Sequence, residues 1–157
     1  MFYYMECKIF FTYGIREMPF HEKSAWAMIL ILGASAIYYV WEVYGFSMAL
    51  GETAPPNSKI TIVWVMFVII GSAIAHAVLA GMTPWHADEG YDERDKLVFD
   101  KAGNWSGWVL GGGAVAGLWH FIVNNDGNLL FHIVLVSLII AQIADYALQL
   151  WFYRKGV

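Results

Sequence analysis

Apolar residues fall into four long blocks along this chain, each bounded by residues that stop a helix. The blocks run over 25–50, 60–82, 105–123 and 129–152. A helix needs about 20 mainly apolar residues to cross a hydrocarbon layer about 30 Å thick, and each block is near or above that length. Between the first two lies "GETAPPNSK" (51–59), where Pro55 and Pro56 lack the N–H that a helix requires. Thr83-Pro84 closes the second block, and "NNDGN" (124–128) reads as a tight turn between the third and fourth. The pattern predicts an all-α integral membrane four-helix bundle occupying 25–157 as one membrane domain. The connectors are too short to hold a soluble domain.

Residues 1–24 form a separate aromatic and polar segment. Glu6, Lys8, Arg16 and Glu17 interrupt any apolar core there, so it does not read as a signal peptide. Two readings remain: an aromatic stretch lying on the membrane surface, or an extension of the reading frame upstream of Met18, which opens "MPFHEKSAW". The second is preferred.

Composition supports the same class. Charged residues make up 14% of the chain and hydrophobic ones 59%, whereas a soluble domain carries about a quarter charged residues. The net charge of -4 comes without a basic stripe, so nucleic acid is not an expected partner. The single cysteine, Cys7, leaves no disulfide within the chain and no zinc-type Cys/His cluster. Eight of the nine Lys and Arg residues lie before the first block, between the second and third, or after the fourth; Lys59 alone lies on the other side. By the positive-inside rule both termini and the long middle connector are expected in the cytoplasm. Trp26, Trp85, Trp105, Trp108 and Trp151 fall near the expected cytoplasmic ends, and Trp41, Trp64 and Trp119 toward the opposite ends. Both sets suit headgroup-level belts.

The segment "YDERDKLVFDK" (91–101) crowds seven charged side chains in front of the third block. Asp92, Glu93 and Asp95 suit a first helical turn, where carboxylates meet the positive end of the helix dipole. Asp92 with Lys96, and Lys96 with Asp100, are spaced to pair along one face. Val98, Ala102, Trp105 and Val109 make an apolar line at helical spacing. The third helix is therefore expected to extend into the cytoplasm. Asp92, Glu93, Arg94 and Asp95 are a helix cap and topology signal on one reading. On the other they are a cytoplasmic docking motif for a second copy or another protein.

The string Asp92-Glu93-Arg94-Asp95, followed by an aliphatic pair and Ala102 at the mouth of a span, resembles an uncharacterised family of small bacterial four-span membrane proteins. "FHEKSAW" (20–26) and the closing "LQLWFYRKGV" (148–157) extend the resemblance over most of the chain after Met18. It implies four spans and a bacterial inner membrane, but no reaction. Members carry a glutamate and a lysine in span four, where this chain has Gln142 and Asp145, so no shared site in that span is carried over.

Polar groups at membrane depth are the remaining candidates for chemistry, because a charge there costs about 2.5–3.5 kcal/mol on insertion scales. Glu42, His120 and His132 are expected in the outer half, and His76, Asp145 and Gln142 in the inner third. Gln142, Asp145 and Gln149 share a face, and His76 is expected to pair with Asp145. The outer set suits a proton or cation relay, or a purely structural hydrogen-bond network. His120 and His132, flanking a hairpin, are the residues that would ligate a haem b iron if one were bound. Tyr38, Tyr39, Trp41 and Tyr44 make an aromatic cluster suited to a quinone or simply to the belt. No cofactor is predicted, no metal site has specific spacing, and no nucleophile–base constellation or phosphate loop points to an enzyme. Small residues at Ala73/Ala77/Gly81, Gly107/Gly111 and Gly113/Gly117 are expected to let helices approach closely.

The function expected from the sequence is that of a small inner-membrane accessory or interaction protein, acting as a homo-oligomer or with another membrane protein. The alternatives are a small proton-coupled transporter or channel acting as an oligomer and, third, a haem- or quinone-binding redox subunit.

Overall fold

The structure, a computed structural model, describes residues 20–82 and 93–156. These form four helices: α1 (Phe20–Leu50), α2 (Ser58–Met82), α3 (Glu93–Asn124) and α4 (Gly127–Lys155). No strand occurs among the described residues. All four helices are long and apolar enough to cross a membrane, and the chain is an all-helical multi-pass membrane protein. The expectations that rest on residues 1–19, Thr83-Pro84, Trp85 and Asp92 lie outside the described residues.

The four crossings alternate in direction, as the contacts at each end show. At one end the starts of α1 and α3 meet the end of α4: the Tyr153 hydroxyl donates to Asp95 Oδ1 at 2.6 Å, and His21 Nε2 lies 3.9 Å from Asp95 Oδ2. At the other end the α1–α2 connector meets the α3–α4 turn through Thr53, Asp126 and Asn128. The two are called here the terminal end and the turn end.

Helix α3 spans 32 residues without a break. At 1.5 Å per residue it is about 48 Å long, roughly 18 Å more than the hydrocarbon layer. The helix is thus longer than the apolar layer is thick, and its first turns carry the charged residues Glu93, Arg94, Asp95 and Lys96. The extension is held by packing. Val98 and Ala102 are both 0% exposed and bury against Phe152, with Leu148 and Tyr153 alongside. The expected apolar line does not continue: Trp105 and Val109 face outward. The face against α4 runs instead through Ser106, Leu110, Gly113 and Gly117, because steps of three and four residues keep to one side of a 3.6-residue helix.

Of the three small-residue rows, only Gly113/Gly117 packs within the chain. A methyl group on Gly113 would overlap the Ser137 hydroxyl, and one on Gly117 would lie 3.1 Å from Ile133 Cγ2 and from Leu130 Cδ1. A Cβ at Gly81, Gly107 or Gly111 meets nothing, and Ala73 and Ala77 are exposed. The substantial packing joins α1 to α2, α1 to α4 and α3 to α4. Helix α2 has no buried residue along its length, and no large interface closes α2 against α3 into a compact bundle.

Backbone chemistry explains the turns. Asn125 takes the left-handed conformation at φ 54° while its N–H donates to Phe121 O at 2.7 Å, closing α3. Asparagine tolerates that region better than most residues. Asp126 then caps α4, accepting the Leu129 N–H at 2.9 Å. At the far end Gly156, at φ 73°, ends α4 with its N–H on Phe152 O at 3.1 Å. Arg154 and Lys155 occupy the last turn, where cations meet the negative end of the dipole. The Lys155 ammonium also lies 4.3 Å from the Trp151 ring centroid.

Candidate functional site

The most connected polar group sits near the turn end and is centred on His132. One turn and a half into α4, its ring is only 7% exposed. Nε2 lies 2.9 Å from the Ala54 carbonyl, and Nδ1 lies 2.7 Å from the Tyr39 hydroxyl. A carbonyl oxygen only accepts, so Nε2 carries the proton; in the neutral ring Nδ1 then accepts from Tyr39. Both partners are held in turn. Tyr39, 2% exposed, packs its ring 5.8 Å from that of Trp64 on α2. Ala54 gives its N–H to Ser47 Oγ at 3.0 Å, and Ser47 donates to Val43 O at 2.9 Å.

The neighbouring connector residues are satisfied in the same way. Thr53 Oγ1 donates to Asp126 Oδ2 at 2.8 Å, and Asn128 Nδ2 donates to Thr53 O at 3.3 Å. Pro55 and Pro56 bring no N–H that needs a partner. Asp126 therefore caps α4 and anchors the connector together. Its carboxyl is held below the ordinary carboxylate value, first by the Leu129 amide and then by the Thr53 hydroxyl.

This arrangement has a chemical consequence. The chain from Tyr39 through His132 ends on an amide carbonyl, which neither takes nor passes a proton near neutral pH. The cavity beside it, lined by Tyr39, Val43, Phe46, Ala54, Pro55 and His132 among others, holds about 10 Å³, room for about one water. The group is built as a lock joining α1, the connector and α4. Haem ligation by His132 would require breaking one of its two ring hydrogen bonds. His120 does not share its contacts: its Nδ1 is buried without a hydrogen-bond partner among the described residues.

Nearer the terminal end, the structure separates His76 from Asp145. His76 Nδ1 donates to Ser72 O at 2.8 Å, and its Nε2 takes the Ser24 hydroxyl at 3.0 Å, joining α2 to α1. The expected His76–Asp145 pair does not form, because the helices that carry them do not pack substantially on each other and Asp145 is engaged by its own helix. Gln149 Nε2 donates to Asp145 Oδ2 at 2.9 Å, while the Ser106 hydroxyl donates to the Gly103 carbonyl at 3.0 Å. Asp145 Oδ1 is buried without a partner among the described residues. Gln142, one turn away, is exposed.

Two of the four acid-motif residues are spent inside the chain. Arg94 Nη2 donates to the Tyr153 carbonyl at 3.0 Å, one of the last carbonyls of α4. Asp95 takes the Tyr153 hydroxyl and faces His21, whose ring meets Phe99 edge-on at 6.0 Å. Glu93 remains exposed. The pair thus ties the α3 extension to α1 and α4. The sequence marked His132, Asp145 and Asp95 as residues needing partners. It had no signal for Ala54 O or Ser24, because those are brought in by tertiary packing and not by spacing.

Glu42 stands apart from both histidines of the outer set. It lines a groove of about 290 Å³ on α1 with Trp41, Gly45, Phe46 and Ala49. Comparison of the chain with protein-family models, with curated proteins and with solved structures found no match.

Proposed function

We propose that this protein is a small accessory subunit of a bacterial inner membrane that acts by packing α2 against another transmembrane helix, from a second copy or from a different membrane protein. The observation that carries this reading is the openness of α2. Its 25 residues include no buried one, and its outward side bears the Ala73/Ala77/Gly81 row. Small residues are what close helix approach in lipid requires. The polar groups inside the chain support an architectural role, since His132, Arg94 and Asp95 are engaged by the chain itself. The resemblance to the four-span bacterial family belongs to the same proposal. So does the cytoplasmic placement of the terminal end, supported by the Lys and Arg distribution.

Cysteine crosslinking in native membranes tests it. In a Cys7→Ser background, Ala77→Cys should give a crosslinked product, whereas Val115→Cys on an exposed face of α3 should not. No product at Ala77, or equal yields at both positions, refutes the proposal.

A second reading, a small transporter, is favoured by one observation only: among the described residues no hydrogen bond or ion pair reaches the Glu42 carboxyl in the apolar stretch of α1.

A further inference from the structure

We infer that Asp145 is a proton-binding site, its carboxyl holding an exchangeable proton where α4 is flanked by α1 and α3. The inference goes beyond the α2 contact proposed above and does not rest on it, because α2 does not pack substantially on α4.

Contacts on both sides of Asp145 along α4 place it. Toward the terminal end, Phe152 packs with Val98 and Ala102 of α3, and Tyr153 meets Asp95, which faces His21 of α1. Toward the turn end, Ser137 lies against Gly113 of α3, and His132 bonds Tyr39 of α1. The carboxyl sits between these contacts. Its Oδ2 accepts from Gln149 Nε2 at 2.9 Å, and Gln149 is only 7% exposed. Its Oδ1 is buried and has no hydrogen-bond partner among the described residues.

The surroundings supply no cation. No Lys, Arg or His occurs at 24–41 of α1, 102–119 of α3 or 133–153 of α4, and among the described residues no ion pair reaches Asp145. The titratable side chain beside it is Tyr146, which carries no positive charge in either form. A buried carboxylate with neither a cation nor a full set of donors is costly, and such a group neutralises by taking a proton. The proton belongs on Oδ1, since Oδ2 already accepts an N–H. Gln149 is the positioning residue, because its amide fixes Oδ2 and leaves Oδ1 for the proton. A metal ion does not suit the place. It takes about six oxygen ligands, and no group of three or more His, Cys, Asp and Glu side chains able to hold one occurs among the described residues. A proton needs one oxygen. Ionisable side chains kept inside spans mark proton and ion sites, and here the chemistry selects the proton.

The test is infrared spectroscopy of the full chain in phosphatidylcholine nanodiscs, reading the C=O band of protonated carboxyl groups near neutral pH. Wild type minus Asp145→Asn is expected to show such a band, shifted in deuterated water and lost reversibly as the buffer is made alkaline. Asparagine has the shape of the neutral acid, so this variant folds. Gln149→Lys sets an ammonium one turn from the carboxyl, and the band is expected to vanish with Asp145 still present. Circular dichroism and thermal unfolding establish that each variant is intact; should Gln149→Lys not fold, the Asp145→Asn difference decides alone. The inference is overturned if wild type and Asp145→Asn give the same protonated-carboxyl band, or if that band is unchanged in folded Gln149→Lys. A band that is present without sodium and suppressed by adding it overturns the inference in favour of a metal-ion site.

Discussion

The Tyr39–His132 bond is the sharpest place to test whether the turn end is locked by polar contacts. Tyr39→Phe removes a single oxygen and keeps the ring that packs 5.8 Å from Trp64 and 5.9 Å from His132. His132 Nδ1 then loses its donor in a buried site. An unsatisfied buried acceptor costs about 1–3 kcal/mol in soluble proteins. Bonds between side chains of membrane helices average about 0.6 kcal/mol and reach about 1.7, because the unfolded chain in lipid also finds partners. The adjacent cavity of about 10 Å³ admits a water only marginally, so little of the loss is recovered. A destabilisation of about 1 kcal/mol is expected for Tyr39→Phe. The measurement is a double-mutant cycle with His132→Leu, each variant unfolded by SDS titration from dodecylmaltoside micelles. A coupling of about 0.6 kcal/mol or more supports the lock, and one within about 0.3 kcal/mol of zero refutes it.

Two further outcomes follow from the packing and the turn. Gly113→Leu drives a side chain into Ser137 and is expected to destabilise α3–α4 pairing by about 1–3 kcal/mol, while Gly107→Leu, which meets open space, changes thermal stability little; equal effects would show that the two glycines face alike. Asp126 has a carboxyl pKa depressed by folding, so its contribution is present above the unfolded pKa and is lost as pH falls through the folded value. Acid titration of stability should therefore show a steeper loss for the native chain than for Asp126→Asn, and identical profiles would remove Asp126 from the cap.

Hydropathy alone revealed the four spans, because a block of about 20 apolar residues has few stable fates other than a membrane helix. The extended third helix was legible too, since charge pattern and apolar periodicity change together before Trp105. The packing face of α3 was not. The line from Val98 and Ala102 through Trp105 and Val109 and the line through Ser106, Gly113 and Gly117 both satisfy helical spacing. Only the position of Ser137 on α4 selects between them. The candidate polar residues were legible individually, because each is expensive in hydrocarbon, but their partners were not. His76 was expected beside Asp145 at a similar depth, yet the helices carrying them do not face each other there, and Ser24 took the place at His76 and Gln149 that at Asp145.

What the sequence by itself determined is the count of crossings, their limits and their alternation, since these depend on local hydrophobicity and on where prolines and turns interrupt it. The tertiary structure alone decided which side of each helix is covered. Rotation about a helix axis is settled by contacts between distant segments: Tyr39 and Ala54 on His132, Tyr153 on Asp95, Gly113 on Ser137. In hydrocarbon an apolar side chain gains about as much from lipid as from another helix, so hydrophobicity does not select the face. Shape and hydrogen bonding do, and they left α2 and the Glu42 groove uncovered.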